Sequence, residues 1–234
     1  VNFAGNASAS SVDGSVSNSW NSYDTIVGGD GTDTLTAAVT NVTVRPNMTG
    51  VENLVLDDDG GATLNMVDVT GLTSITSQGS GNAADIQNLQ SVGSASFQNT
   101  TAGLSLGYTA AATSGGSDDL AINVQGVTLA GNIVLTAATN TIEAVSIAST
   151  VSANTIADLQ STGAGTTTLN ISGDQDLTIT TNLDTEITSV SAANFSGALS
   201  ITGTNATGTT ITSGSGDDII TSLGGDDTIT SGSG

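Results

Sequence analysis

The chain has 234 residues, with 22 acidic side chains against a single basic one, Arg45, and no histidine, for a formal net charge of -21. Self-repulsion of that size opposes a compact state unless cations come from outside, and nucleic acid and anionic membrane surfaces are excluded as partners because they bind through Lys and Arg clusters. Cysteine is absent, aromatic residues make up 3% of the chain against 36% hydrophobic residues, and no run of about 18 apolar residues occurs; disulfides, thiolate metal sites and a membrane helix are therefore excluded, and the expected core is narrow, aliphatic and repeated along an axis.

The opening VNFAGNASAS carries neither an initiator Met nor the charged start of a signal peptide, and the chain stops in mid-pattern at Gly234. We read it as a processed product or a segment of something longer. The first patterned stretch is Gly28-Gly29-Asp30-Gly31-Thr32-Asp33-Thr34-Leu35-Thr36, which fits every defined position of the nonapeptide G-G-x-G-x-D-x-U-x, where U is apolar. That signature marks Ca²⁺-binding parallel β-structure. The nine residues before it, Ser19 to Val27, place Asp24 and Ile26 in the phase of Asp33 and Leu35.

A ladder U-x-x-U-x-U follows as Val51-Leu54-Leu56, Leu72-Ile75, Leu89-Val92, Ile142-Val145-Ile147 and Ile187-Val190-Ala192. The first three copies lie roughly twenty residues apart, the length of one rung in a stacked coil. Asp57-Asp58-Asp59-Gly60-Gly61 reads as a solvated turn after Leu54–Leu56, and Gly115-Gly116-Ser117-Asp118-Asp119-Leu120 as either a metal site or a plain loop. Val127–Leu135, Thr166–Ile171, Leu177–Thr180 and Ala198–Ile201 alternate apolar residues with Thr, Ser or Asn, as half-buried strands do. Helical periodicity is missing throughout.

Near the end, Ser213-Gly214-Ser215-Gly216-Asp217-Asp218-Ile219-Ile220-Thr221 is followed in phase by Ser222-Leu223-Gly224-Gly225-Asp226-Asp227-Thr228-Ile229-Thr230, and a third frame begins at Ser231. The chemistry asks for this order. Glycines allow positive-φ turns that aim carbonyls inward, the aspartate contributes to an all-oxygen shell suited to a hard cation, and the apolar residue two positions on points into the roll. The fold class expected is all-β, a parallel β-solenoid with calcium-binding turns at both ends, divided as residues 1–36, a solenoid body over 37–212, and 213–234. Some ten coils at about 4.8 Å each make a rod on the order of 50 Å long, with open sheet edges at both ends.

The blocks GGDGTDTLTA at Gly28–Ala37, PNMTGVENLVL at Pro46–Leu56, ATLNMVDVTGLTSIT at Ala62–Thr76 and GSGDDIITSLGGDDTIT at Gly214–Thr230 resemble the successive blocks of bacterial repeat-in-toxin proteins, in particular the S-layer-like proteins exported by type I secretion. The resemblance implies a Ca²⁺-dependent outer coat of a Gram-negative bacterium, secreted unfolded and folded outside the cell. It implies Asp24, Asp33, Asp218 and Asp227 as side-chain ligands; Asp30, Asp217 and Asp226 and the turn residues Gly28, Gly216 and Gly225 belong to the same expected sites. The chain departs from the pattern at Leu223, where glycine is usual, and at Ser213 and Ser222, which replace first-position glycines.

Without His, Cys or Lys, nucleophilic triads, thiol chemistry and Schiff bases are out. Paired-carboxylate glycoside hydrolysis has three Glu and few aromatic platforms to work with. No enzyme is expected. The expectation is a structural protein that assembles with its own copies into an extracellular layer or filament, with cell-surface polysaccharide as a further partner. The rival is an adhesin or ice-binding module displaying Thr ladders such as Thr166-Thr167-Thr168 and Thr209-Thr210-Ile211-Thr212; their irregular spacing favours the coat. Trp20, Tyr23, Phe97, Tyr108 and Phe195 read as core plugs or coil caps, and Arg45 as the partner of a nearby acid or of an adjacent protomer.

Overall fold

The computed structural model describes residues 2–4, 11–14, 16–138, 141–163 and 165–234. Apart from one 3-10 turn at Met66–Asp68, the regular elements are all β-strands, and every pairing between them is parallel. The expected parallel β-solenoid is what forms.

One 11-stranded sheet runs the length of the stack. Its strands, in stacking order, are Ser11–Gly14, Thr34–Val39, Asn53–Asp58, Ser74–Gln78, Ser94–Gln98, Asp119–Gln125, Ala144–Thr150, Thr168–Gly173, Ser189–Ser191, Thr210–Thr212 and Thr228–Thr230. The sheet crosses residues 36 and 212 without a break. Three shorter sheets close the other sides. An N-terminal one holds Asn2–Ala4, Thr25–Val27, Asn47–Thr49 and Val69–Thr70; a middle one starts at Thr43–Val44 and ends at Leu159–Thr162; a C-terminal one starts at Thr128–Leu129 and ends at Ile219–Ser222.

The number of faces per coil changes along the chain. Up to Val39 the strands alternate between the N-terminal sheet and the long sheet, and from Thr168 onward between the long sheet and the C-terminal sheet. These two-faced stretches hold both nonapeptide pairs. Three-faced coils occur between them, as where Thr34–Val39, Thr43–Val44 and Asn47–Thr49 belong to three different sheets.

Apolar residues repeat at every second strand position because the strand has a period of two and one face is inside. In Thr34–Val39 the residues Leu35, Ala37 and Val39 are buried, and in Ala144–Thr150 Val145 and Ile147 are. Stacked coils keep these residues in register. Leu35 lies beside Leu54, Leu54 beside Ile75, Ile75 beside Ala95 and Ala95 beside Ile122. Within the long sheet the step is shortest, 18 residues, from Ile211 to Ile229, and longest, 27, from Ala95 to Ile122. Turns absorb the difference, so a coil of irregular length still delivers its strand to the same rung.

That register corrects the sequence ladder. Leu54 and Ile75 share a rung line, and the residue there in the third copy is Ala95, three residues after Val92, so the copy is Val92-Ala95-Phe97 and not Leu89-Val92. The line continues through Ile122 to Ile147 and Ile171, whereas Val145 and Val190 stand on the line of Leu120 and Leu169, two residues earlier in each strand. Ala95 is too small to mark itself, and Leu89, buried on the middle sheet, drew the pattern toward it. Trp20, Phe97, Tyr108 and Phe195 are buried, as expected of plugs. Tyr23 is not: it is 94% exposed and plugs nothing.

Arg45 resolves onto a nearby acid. Its Nε and Nη2 donate to Asp68 at 2.6 and 3.2 Å, one coil on. This pairing raises the Arg45 pKa and lowers that of Asp68, the direct hydrogen bond being the larger cause in both cases. Among the described residues no helix is long and apolar enough to cross a membrane.

Candidate metal centre

In the N-terminal nonapeptide, Thr25–Val27 stands on the N-terminal sheet and Thr34–Val39 on the long sheet, so Gly28 to Asp33 form the corner between them. Ile26 and Leu35, nine residues apart, are both about 1% exposed. They point into the core from opposite faces, which is the reason for the shared phase. The corner is tight. Gly28 donates its N–H to Thr49 O at 2.8 Å, and a Cβ on Gly28 would fall 1.5 Å from Gly50 O in the next coil. Only Gly31 in this corner has a left-handed φ, +105°. Gly28 is required here by close approach between coils and not by positive φ, and Gly31 by its left-handed turn.

Both N-terminal aspartates are buried, Asp24 at 5% and Asp33 at 1% exposure. Asp33 Oδ2 accepts the Gly29 N–H at 2.8 Å, and Asp24 Oδ2 accepts the Asn21 N–H at 2.8 Å. Asp30 is exposed at the tip.

At the C-terminal end, Ser213 to Asp218 carry the chain from Thr210–Thr212 on the long sheet to Ile219–Ser222 on the C-terminal sheet, and residues 223–227 carry it back to Thr228–Thr230. The 18-residue step from Ile211 to Ile229 is two nonapeptides. Each nonapeptide therefore crosses the roll once. Ile220 is half-buried, whereas Ile229 remains 49% exposed because its inner side lies at the end of the stack. Gly224 and Gly225 have φ of +79° and +83°, so the left-handed turn falls on two residues that are glycine. Leu223 precedes them, donating its N–H to Gly203 O at 2.9 Å as a strand residue does, and its departure from the motif leaves the turn intact.

Asp218 Oδ1 accepts the Leu199 N–H at 2.9 Å and Asp227 Oδ1 accepts the Thr209 N–H at 2.7 Å, each reaching back to the preceding coil. Asp217 and Asp226 are exposed beside them. Between the turn at Ser213–Asp218 and the start of the third frame lies an open cleft of about 400 Å³, lined by Ser213, Gly216, Asp217, Asp218, Ser231 and Gly232 among others. A Cβ on Gly232 would meet Gly214 O at 1.8 Å, so the two turns are separated only by glycine against carbonyl.

Among the described residues no three acidic side chains converge on one point. A cation at these turns takes one or two carboxylates and completes its shell with main-chain carbonyls and water, a donor set within the range Ca²⁺ accepts. The C-terminal turns fit that description best, since an exposed and a half-buried aspartate stand beside a cleft with room for an ion. At the N-terminal turn the fit is narrower, because Asp24 and Asp33 are buried whereas Asp218 and Asp227 are half-buried.

Other acids form a device that sequence reading missed. Glu52, just ahead of one long-sheet strand, accepts through Oε2 the N–H of Asp33, just ahead of the previous one, at 2.8 Å; Glu143 does the same for Asp118 at 2.7 Å. Asp184 accepts the N–H of Ser161 in the same coil-to-coil manner. Each staple satisfies a main-chain donor, that of Asp33 or Asp118 at a corner and that of Ser161 in the edge strand Leu159–Thr162 of the middle sheet. The Thr141 hydroxyl and then the Asp118 amide hold the Glu143 carboxyl below the usual carboxylate range, whereas burial, with Glu186 and Asp158 nearby, raises that of Asp184 despite the Ser161 amide.

The triple-aspartate turn also differs from its reading as a solvated one. Asp58 is fully buried, and its carboxylate accepts the N–H groups of Gly60, Gly61 and Ala62 at 2.8 to 3.0 Å. Asp57 points outward with Oδ1 shielded and without a hydrogen-bond partner; burial, then Asp59 and Asp58, raises its pKa. In the loop before Asp119–Gln125, Asp118 likewise has a shielded Oδ2 without a partner, and Gly116 stands in open space.

No protein-family model, curated protein or solved structure matches the chain. The geometry above carries the functional argument alone.

Proposed function

We propose that the chain is a calcium-dependent structural protein of an extracellular surface layer or filament, folding outside the cell after export in the unfolded state. The observation that carries this reading is the coincidence of the phased nonapeptides with the two-faced ends of the stack, where consecutive nonapeptides cross the roll and stack turn on turn. A chain of net charge -21 with one cationic side chain, itself engaged by Asp68, gains most from an external divalent cation at such turns. Lack of cysteine and strong self-repulsion without calcium suit passage through a secretion channel. Asp218 and Asp227, with Asp217 and Asp226 beside them, are the residues assigned to hold Ca²⁺ at the C-terminal turns; Asp24, Asp30 and Asp33 with the Gly28 corner are assigned to the N-terminal site.

A second reading, an adhesin or ice-binding module, draws support from the outward residues of the long sheet, which stand in register. The row through Thr34, Asn53, Ser74 and Ser94 continues to Thr212 and Thr230. Its composition is mixed, however, with Ala121 interrupting the polar residues, and it is not the uniform threonine array that such a module presents.

The two readings separate by size. With Ca²⁺ raised from chelator to about 10 mM, a range that spans weak extracellular sites, sedimentation and negative-stain images are expected to show ordered sheets or filaments only when calcium is present. A calcium-folded chain that stays a monodisperse monomer transfers the assignment to the binding module.

A further inference from the structure

We propose that the outer face of the long sheet is the surface through which two copies of this chain pack against each other, an inference that rests on the self-assembly reading above. The face is low in charge. Of the 22 acidic residues, only Asp13, Asp57 and Asp119 occupy outward positions on this sheet; Asp58, the fourth acid on it, is turned inward. The three shorter sheets carry one acid among their strands, Asp85, but none of them runs the length of the stack, and the remaining acids lie outside the strands, where two chains of net charge -21 repel each other.

Area is the second point. Eleven strands stacked at about 4.8 Å, each presenting roughly 15 Å of its length, give a face of about 700–800 Å², close to the roughly 800 Å² per partner of a standard specific interface. The face is also already ordered. Asn53 Nδ2 donates to Thr34 Oγ1 at 3.4 Å, Ser74 Oγ to Asn53 Oδ1 at 2.6 Å, and Asn170 Nδ2 to Ser146 Oγ at 3.3 Å, so neighbouring side chains are tied along the rows before any partner arrives. Pre-ordering lowers the entropic cost of association.

Chemistry selects the occupant. In the most C-terminal row of the full-length strands, Gln78, Gln98 and Gln125 stand side by side in register, followed by Thr150. Amides and hydroxyls both donate and accept, so such rows are complementary to themselves across a two-fold axis. A saccharide partner is less well matched, since the aromatic side chains Phe97 and Tyr108 in this region are buried and none stands on the face. A regular water lattice meets the interruptions at Val55, Ala121 and Ala148.

The test uses the full chain with Ca²⁺ at the concentration that assembles the parent. Gln98→Glu, Asn123→Asp and Gln125→Glu together add three charges to the face with little change of shape; Thr155→Asp, Thr178→Asp and Ser200→Asp add the same charge to the outside of the C-terminal sheet, where those positions are in register. By sedimentation the face variant is expected to need at least tenfold more protein to associate, and the control to associate as the parent does. Association of the face variant at the parental concentration, or equal loss in both, overturns the proposal.

A second measurement does not depend on the charged variants folding. Asn123 lies on the sixth of the eleven strands, so a two-fold contact places it near its copy. In a chain without cysteine, Asn123→Cys is expected to cross-link between copies with a short bismaleimide, and Thr178→Cys is not. Equal cross-linking also overturns the proposal. A parent chain that never associates sinks the self-assembly reading itself, a result distinct from either of these.

Discussion

Gly28→Ala is expected to release the N-terminal coils from the stack, with a loss of about 3 kcal/mol or more of folding stability. The added Cβ lies 1.5 Å from Gly50 O, 2.5 Å from the Gly50 carbonyl carbon and 2.6 Å from Asp33 Oδ2. Main-chain atoms of the next coil cannot move aside without pulling on the pairing of Thr25–Val27 with Asn47–Thr49, and Gly28 itself is held there by its bond to Thr49 O. Each coil of a solenoid contacts chiefly its neighbours, so the damage should remain local. Hydrogen exchange should show lost protection in residues 16–50 before the C-terminal coils change. Gly116→Ala is the control: nothing lies within 4 Å of its Cβ and its φ is not left-handed, so its denaturation midpoint should match the parent within about 0.5 kcal/mol. Equal midpoints for the two variants would show that coil-to-coil contact at Gly28 is looser than described.

The second large effect is expected at Asp58. Its carboxylate closes the turn by taking two N–H groups on Oδ1 and the buried Ala62 N–H on Oδ2, while its own N–H donates to Ser80 Oγ in the next coil at 3.0 Å. Hydrogen bonds to an ionised group contribute roughly 1.5–3 kcal/mol each, and buried donors left without acceptors cost more than the bond gained. Asp58→Ala should therefore destabilise by about 3–5 kcal/mol. Asp58→Asn is the sharper probe. It keeps one acceptor oxygen but sets an NH₂ against a main-chain N–H, so a loss of about 2–3 kcal/mol is expected in spite of the matched shape. Chemical denaturation in excess Ca²⁺ measures both, and an Asn variant within about 0.5 kcal/mol of the parent would mean that the three amides find other acceptors.

The difference between Asp58 and its neighbours marks where sequence stops being informative. Alternation in Leu35-Thr36-Ala37 or Leu169-Asn170-Ile171 states which face of a strand is inside, because strand geometry has a period of two whatever the surroundings. The nonapeptide phase states that Ile26 and Leu35 share an environment. Neither says which of three consecutive aspartates turns inward, since that depends on where the strand Asn53–Asp58 ends and the corner begins.

Contacts between coils were the least legible. Glu52 meets Asp33 across 19 residues, Glu143 meets Asp118 across 25, and Asp227 meets Thr209 across 18. No fixed spacing reveals them, because turns of different length bring each pair together. The same variation hid Ala95 from the ladder. Motif glycines carry a related lesson. Their number indicates turns, but at Gly28, Gly214 and Gly216 the requirement comes from a carbonyl one coil away, within about 2.2 Å of where a Cβ would stand, which only the stacked register supplies.

The central claim, that external calcium makes this acidic solenoid fold, is tested most directly by far-ultraviolet circular dichroism of the purified chain in chelator, in NaCl of matched ionic strength, and in about 10 mM Ca²⁺. A disordered spectrum in the first two and a β-sheet spectrum only with calcium is the expected result. A full β-sheet signal in chelator would contradict the account, since the fold would then stand without the ion assigned to its turns.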